Sequence, residues 1–146
     1  MLRSLYLIGF LTVLWVAAQD IVPDDPEVQM QMHSMFYTAR VACAGENMIP
    51  YANVLQFNST GDLPEDKDKV TSMCYFNCFF EKSGLMTDYK LNTDLIRKYV
   101  WPATGDSIEA CETEGKDETN ACMRGYAIVK CVFIRALTDA RNKPTV

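Results

Sequence analysis

The run Met73-Cys74-Tyr75-Phe76-Asn77-Cys78-Phe79-Phe80 constrains the fold more than any other stretch of the chain. Its two cysteines stand four positions apart in an apolar, aromatic segment, a separation of about one helical turn. Both sulfurs therefore project from one face of a helix. Cys43 lies before this pair, and Cys111, Cys122 and Cys131 lie after it. One helix can then carry two cross-links, each fixing a different part of the chain. Thiolates at this spacing also suit zinc, so the redox compartment has to decide between the two chemistries.

The N-terminus decides it. Residues 1–18 read as a secretory signal peptide. Arg3 supplies the positive start, residues 5–16 are apolar but shorter than a membrane-spanning helix, and Val16-Ala17-Ala18 offers small residues before a cut after Ala18. The rest, residues 19–146, suits a single domain with a modest core. Six cysteines in an exported chain point to three disulfides rather than a zinc site, and no cofactor is implied. The count alone leaves fifteen connectivities open. Each bridge stabilises by about 2–4 kcal/mol, mainly by restricting the unfolded chain.

Charge narrows the partners. One of the 14 basic residues, Arg3, lies in the leader, which leaves 13 bases against 19 acids and a net charge of −6. An acidic chain without a basic cluster argues against nucleic acid or an anionic membrane as partner. It suits an extracellular protein that stays soluble as a monomer or weak homodimer.

Periodicity predicts an all-α fold of about six helices. Residues 20–26 read as an extended arm. From Glu27, apolar residues recur at spacings of three and four through Val28, Met32, Met35, Phe36, Ala39 and Cys43, and the helix should end near Gly45 and Pro50. A short second helix is expected over residues 51–56, then a turn-rich loop, Asn58-Ser59-Thr60-Gly61-Asp62, with Asn58 as a surface N-glycosylation acceptor. Asp62-Leu63-Pro64-Glu65-Asp66 should open the third helix, since proline and acids suit a first turn. That helix should stop at Gly84. Asn92-Thr93 caps a fourth helix over residues 94–100, Asp106-Ser107 a short fifth one through Cys111, and Thr119-Asn120 a sixth over residues 121–137. Residues 112–120 form a charged connector, and no alternating strand pattern exceeds four residues.

The cysteine gaps carry a resemblance. Thirty residues separate the first two cysteines, then three, 32, ten and eight separate the rest. This pattern resembles that of the insect odorant-binding proteins, the pheromone and general odorant-binding family. The short gaps of three, ten and eight are its most specific part, and Phe80-Glu81-Lys82-Ser83-Gly84-Leu85 also resembles the family's usual helix end. The resemblance implies the pairing Cys43–Cys78, Cys74–Cys122 and Cys111–Cys131. The residues are compatible with it: Cys122 and Cys131 are nine apart, about half a revolution out of phase, and so reach partners on different sides.

The same resemblance implies a secreted carrier that binds small apolar ligands in an internal pocket and delivers them to membrane receptors in olfaction. Composition fits, with eight Met, seven Phe and seven Tyr. Met adapts to varied shapes, and aromatics offer flat contact surface. Close packing is the norm and voids cost stability, so three bridges would offset part of the cost of a hollow interior. Candidate lining residues are Met73, Phe76 and Phe80 on the third helix; Leu95, Ile96, Tyr99 and Trp101 on and after the fourth; and Tyr126, Val129 and Phe133 on the sixth. Tyr99 and Tyr126 are the candidate hydrogen-bond donors. The final residues, Arg141-Asn142-Lys143-Pro144-Thr145-Val146, are too polar to enter such a pocket readily.

Other classes fit less well. A calcium-dependent phospholipase needs a His-Asp pair and a glycine-rich calcium loop, and His33, the sole histidine, is followed by Ser34-Met35. Residues 88–100 lack the mid-loop Gly and closing Glu of a calcium hand, and no serine nucleophile motif appears. No enzyme is expected. The alternative is a secreted interaction protein, such as a salivary, venom or reproductive-fluid factor, on the same scaffold. Residues 112–118 would be its candidate acidic docking surface.

Overall fold

The computed structural model describes residues 26–101 and 107–142. The expected signal peptide, residues 20–25 of the expected arm, Asp106 and the end of the polar tail lie outside the described residues, and Pro26, expected in the arm, opens the first helix. The elements are α1 (Pro26–Glu46), α2 (Tyr51–Thr60), α3 (Lys69–Lys82), strands β1 (Met86–Thr87) and β2 (Lys90–Leu91), α4 (Thr93–Tyr99), a 3-10 helix (Ile108–Thr113) and α5 (Ala121–Asn142). The fold is all-α. No helix among the described residues is long and apolar enough to cross a membrane.

Helix α3 is the hub. It packs chiefly on α5 and α1, because residues on two of its faces are apolar: Tyr75, Phe76, Cys78 and Phe80 are all buried. Two of the three disulfides tie it in. Cys43–Cys78 joins α1 to α3, Cys74–Cys122 joins α3 to the start of α5, and Cys111–Cys131 joins the 3-10 helix to the middle of α5. Helix α5 approaches α3 closely at Gly125, where a Cβ would stand 1.6 Å from the Asn77 amide oxygen. Only a residue without a side chain fits there.

The largest departures from the sequence expectation fall in four places. Helix α2 continues to Thr60 because Phe57 is fully buried and holds that turn in the core. The hydroxyls of Ser59 and Thr60 donate back to the Gln56 carbonyl at 3.0 and 2.8 Å. Gly61, at φ 74°, then ends it, and its N–H bonds the Phe57 carbonyl. Asn58 therefore sits on a helix and not on a loop. The third helix starts at Lys69 and not near Pro64, because the acids before it bind backbone N–H groups themselves: Asp62 accepts from Leu63 and Asp66 from Asp68. Such local bonds compete with helix formation. Residues 86–91 form a hairpin, with Asp88 and Tyr89 both at positive φ (48° and 62°). This is the sign of the mirror-image turns that suit hairpins. Two-residue strands leave no period to read. Helix α5 runs on to Asn142, five residues past the expected end.

Caps follow the expectation at α4 and α5. Asn92 accepts from the Leu95 N–H at 3.2 Å, and Asn120 from the Met123 N–H at 3.1 Å. Glu112 anchors the hairpin to the 3-10 helix by accepting from the Leu91 N–H at 2.9 Å and the Lys90 ammonium at 3.2 Å.

Candidate functional site: an aromatic cavity under α1 and α2

A cavity of about 450 Å³ opens between α3 on one side and α1 and α2 on the other. Its floor comes from α3, where Tyr75, Phe76, Phe79 and Phe80 fall on adjoining positions of successive turns. Phe36 and Arg40, one turn apart, come from α1. Tyr51, Val54 and Asn58 come from α2 at spacings of three and four, hence from one face. Leu85, Tyr99, Val100 and Phe133 complete the lining.

The rings hold one another in place. Phe57 packs on Phe76 with centroids 4.1 Å apart and on Phe133 at 4.8 Å. Phe36 meets Phe79 at 5.4 Å and the edge of Tyr99 at 6.2 Å. Such offset and edge contacts add to the gain from burial. The Tyr99 hydroxyl bonds the Gln31 side-chain oxygen at 3.3 Å, which ties α4 to α1 across one end of the site.

The lining is graded in polarity. Its inner end is dry: Phe76, Phe80 and Leu85 are 3%, 0% and 0% exposed. Arg40, Tyr51 and Asn58 stand at the exposed rim. Burial raises the Tyr75 phenol above its ordinary pKa of 10, while the Arg40 charge pulls it down. Most of the surface offered to a guest is hydrocarbon and ring. The arrangement can take an apolar molecule out of water, and its polar rim can orient one end.

Of the sequence candidates, Phe76, Phe80, Tyr99 and Phe133 line the cavity. The other six do not. Ile96, Trp101, Tyr126 and Val129 are buried in the packed core, and Met73 and Leu95 pack against it half-buried. Tyr126 and Val129 share a face with Phe133, but both are buried, and the Phe57 ring packs 5.6 Å from the Tyr126 ring. Burial, with the Asp62 carboxylate as a lesser cause, pushes the Tyr126 phenol up to about 12. The Trp101 indole N–H donates to Asp139, which pins the end of α4 to the last turns of α5.

Sequence reasoning missed the whole contribution of α1 and α2, together with Tyr75, Phe79, Leu85 and Val100. Tyr51, Val54 and Asn58 do fall at helical spacing, but Ala52, Leu55 and Phe57 share the same short segment, so spacing alone does not single them out. His33 is exposed and stacks on Tyr37 at 6.1 Å, away from the cavity lining.

Comparison with known proteins adds the lineage. The chain is 85% identical over 104 residues to general odorant-binding protein 84a of Drosophila melanogaster, an alignment covering 71% of this chain and 59% of that protein. It is 32% identical over 69 residues to pheromone-binding protein Gp-9 of Solenopsis globularia littoralis, covering 42% of this chain and 44% of that one. The chain thus spans about half the length of these two relatives. No solved structure matches it. The PBP/GOBP family matches residues 26–134, from the first residue of α1 to the middle of α5. The chain belongs to the PBP/GOBP family.

Proposed function

We propose that the protein is a secreted carrier that takes small apolar ligands, odorants or pheromones by class, into the cavity under α1 and α2 and delivers them to membrane receptors. The observation that carries this reading is the aromatic-lined space of about 450 Å³ inside a disulfide-braced set of helices. That size falls in the range of small-molecule pockets. A ligand leaving water gains roughly 25 cal/mol per Å² of apolar surface buried, and no bond is made or broken. The names of the two relatives, a general odorant-binding and a pheromone-binding protein, support the ligand class. In this reading residues 1–18 are the export signal, residues 19–146 act as one domain, and Asn58, exposed on α2, is the acceptor of an N-linked glycan.

The test is titration of the oxidised protein with an apolar fluorescent probe that brightens in a dry pocket. Competition with volatile alcohols, esters, aldehydes and fatty acids follows. Saturable one-to-one binding at micromolar affinity or tighter, reversed by a subset of the panel, is the expected result. A correctly bridged, delipidated protein that never saturates would overturn the reading.

A further inference from the structure

The rim of the cavity carries a charge that an apolar guest does not need. Among the described residues, the lining holds no Asp, Glu, Lys or His, and its charged member is Arg40. The ion pairs among the described residues are made by Lys69, Lys82, Lys90 and Lys130, and Arg40 takes part in none of them. A guanidinium presents a planar fork of donors that matches a carboxylate. Arg40 lies one turn after Phe36 on the same face of α1, so the cation and the aromatic wall belong to one surface. Of the same lining, Phe80 and Leu85 are fully buried, whereas Arg40 is exposed. The site therefore has one cationic end, open to water, and one hydrocarbon end, closed to it.

We propose that this cavity selects amphiphiles with a carboxylate head, such as medium- and long-chain fatty acids, with the carboxylate held by Arg40 at the rim and the chain directed toward Phe80 and Leu85. The proposal rests on the carrier reading and adds the chemical class of ligand. The exposed position of Arg40 suits the chemistry: the head group keeps part of its hydration, so the desolvation cost that makes buried ion pairs weak is largely avoided. The net charge of the chain, −5 over the full sequence, would repel an anion at long range. Screening confines that repulsion to about 8 Å at physiological ionic strength. A direct contact with Arg40 acts inside that distance.

The experiment compares dodecanoate with 1-dodecanol, together with an uncharged fluorescent probe, on the wild type and on Arg40→Met and Arg40→Lys. The alkyl chains differ by one methylene, and each ligand is compared with itself across the variants, so the apolar part of binding cancels. Arg40→Met is expected to weaken dodecanoate roughly 3- to 10-fold and to leave dodecanol within about twofold. Arg40→Lys should recover part of the loss, and raising the salt concentration should narrow the difference between the acids' affinities for wild type and Arg40→Met. Equal weakening of both ligands would show that the Arg40 stem shapes the cavity and would overturn the proposal alone. So would a dodecanoate affinity indifferent to Arg40 while dodecanol and the probe still bind. Failure of all three molecules to saturate the wild type would overturn the carrier reading, and the proposal with it.

Discussion

Helices α3 and α5 bury most of their apolar residues against each other, whereas α1 and α2 leave many of theirs in water. On α5, Tyr126, Ile128, Val129 and Val132 are all 5% exposed or less. On α1 and α2, Tyr37, Val41, Tyr51 and Leu55 are 59%, 56%, 72% and 50% exposed. Both regions are rich in apolar side chains, but only one is packed as a core. The other is held by a few anchors, namely Phe36, Ala39 and Cys43 on α1 and, on α2, Phe57 and Asn53, whose amide donates to the Ser72 hydroxyl of α3 at 3.2 Å. A wall attached at so few points can stand off from α3 and leave a cavity beneath it. A wall packed along its length would close that space. The core pair thus carries the packing, while the cavity opens where the loosely attached wall of α1 and α2 faces α3, and changes in the two regions should have different consequences.

The largest effect is expected at the anchor that joins the two regions. Phe57→Ala removes a fully buried ring that touches Phe76, Tyr126 and Phe133. It should cost about 3–5 kcal/mol in chemical denaturation and weaken ligand binding as well. An effect on stability alone would show that α2 keeps its place without its anchor. Next comes the pair of bridges on α3. Replacing Cys43 and Cys78 by Ser, or Cys74 and Cys122 by Ser, should each cost about 2–4 kcal/mol. Their effects on binding should part, since Cys43–Cys78 fastens the cavity wall and Cys74–Cys122 fastens the core pair. The first double variant should lose probe affinity even where it remains folded by circular dichroism, and the second should retain it. Equal losses of affinity would dissolve the distinction between wall and core.

A third test is confined to the core pair. Gly125→Ala places a methyl group against Asn77, and overpacking of this kind should cost about 1–3 kcal/mol. Affinity should be unchanged when measured well below the transition, because neither residue lines the cavity. The smallest expected effect joins Gly61 and its neighbours to α5 through the ion pair of Asp62 with Lys130 at 3.0 Å. The Lys130 ammonium holds the Asp62 carboxyl below its ordinary 3.8. A carboxyl with a lowered folded-state pKa contributes stability above its unfolded value and loses that contribution as pH falls through the folded value. Asp62 is largely exposed, so Asp62→Asn should cost no more than about 0.5 kcal/mol at pH 7 after solvent screening. The difference should vanish well below pH 4. A difference that persists there would assign the effect to the Leu63 backbone bond instead.

The sequence was informative where a pattern is long or chemically costly. Six cysteines, an apolar run with helical period and two asparagine caps mark out α3, α4 and α5. It was least informative where a short local bond decides the outcome. The N-terminal end of α3 is set by Asp62 and Asp66 binding backbone N–H groups, and the hairpin by two residues at positive φ. The cavity was only half legible for a different reason. Periodicity identifies an apolar face but not what covers it. Tyr126, Val129 and Phe133 make one stripe, yet Tyr126 and Val129 are buried in the core while Phe133, itself packed on Phe57, reaches the cavity. Conversely, Tyr51 is a surface residue, 72% exposed. It belongs to the site because a rim must be partly exposed.

The most direct test is nuclear magnetic resonance on protein with labelled aromatic rings and methionine methyls, titrated with an apolar ligand to saturation. The rings of Phe36, Phe79, Phe80 and Phe133 should shift together and stop shifting at one equivalent, while the methyls of exposed Met30 and Met48 hardly move. Shifts confined to Met30, Met48 and the outer faces of α1 and α2, growing without saturation, would mean adsorption to the surface and would contradict the claim that the space under this wall is the binding site.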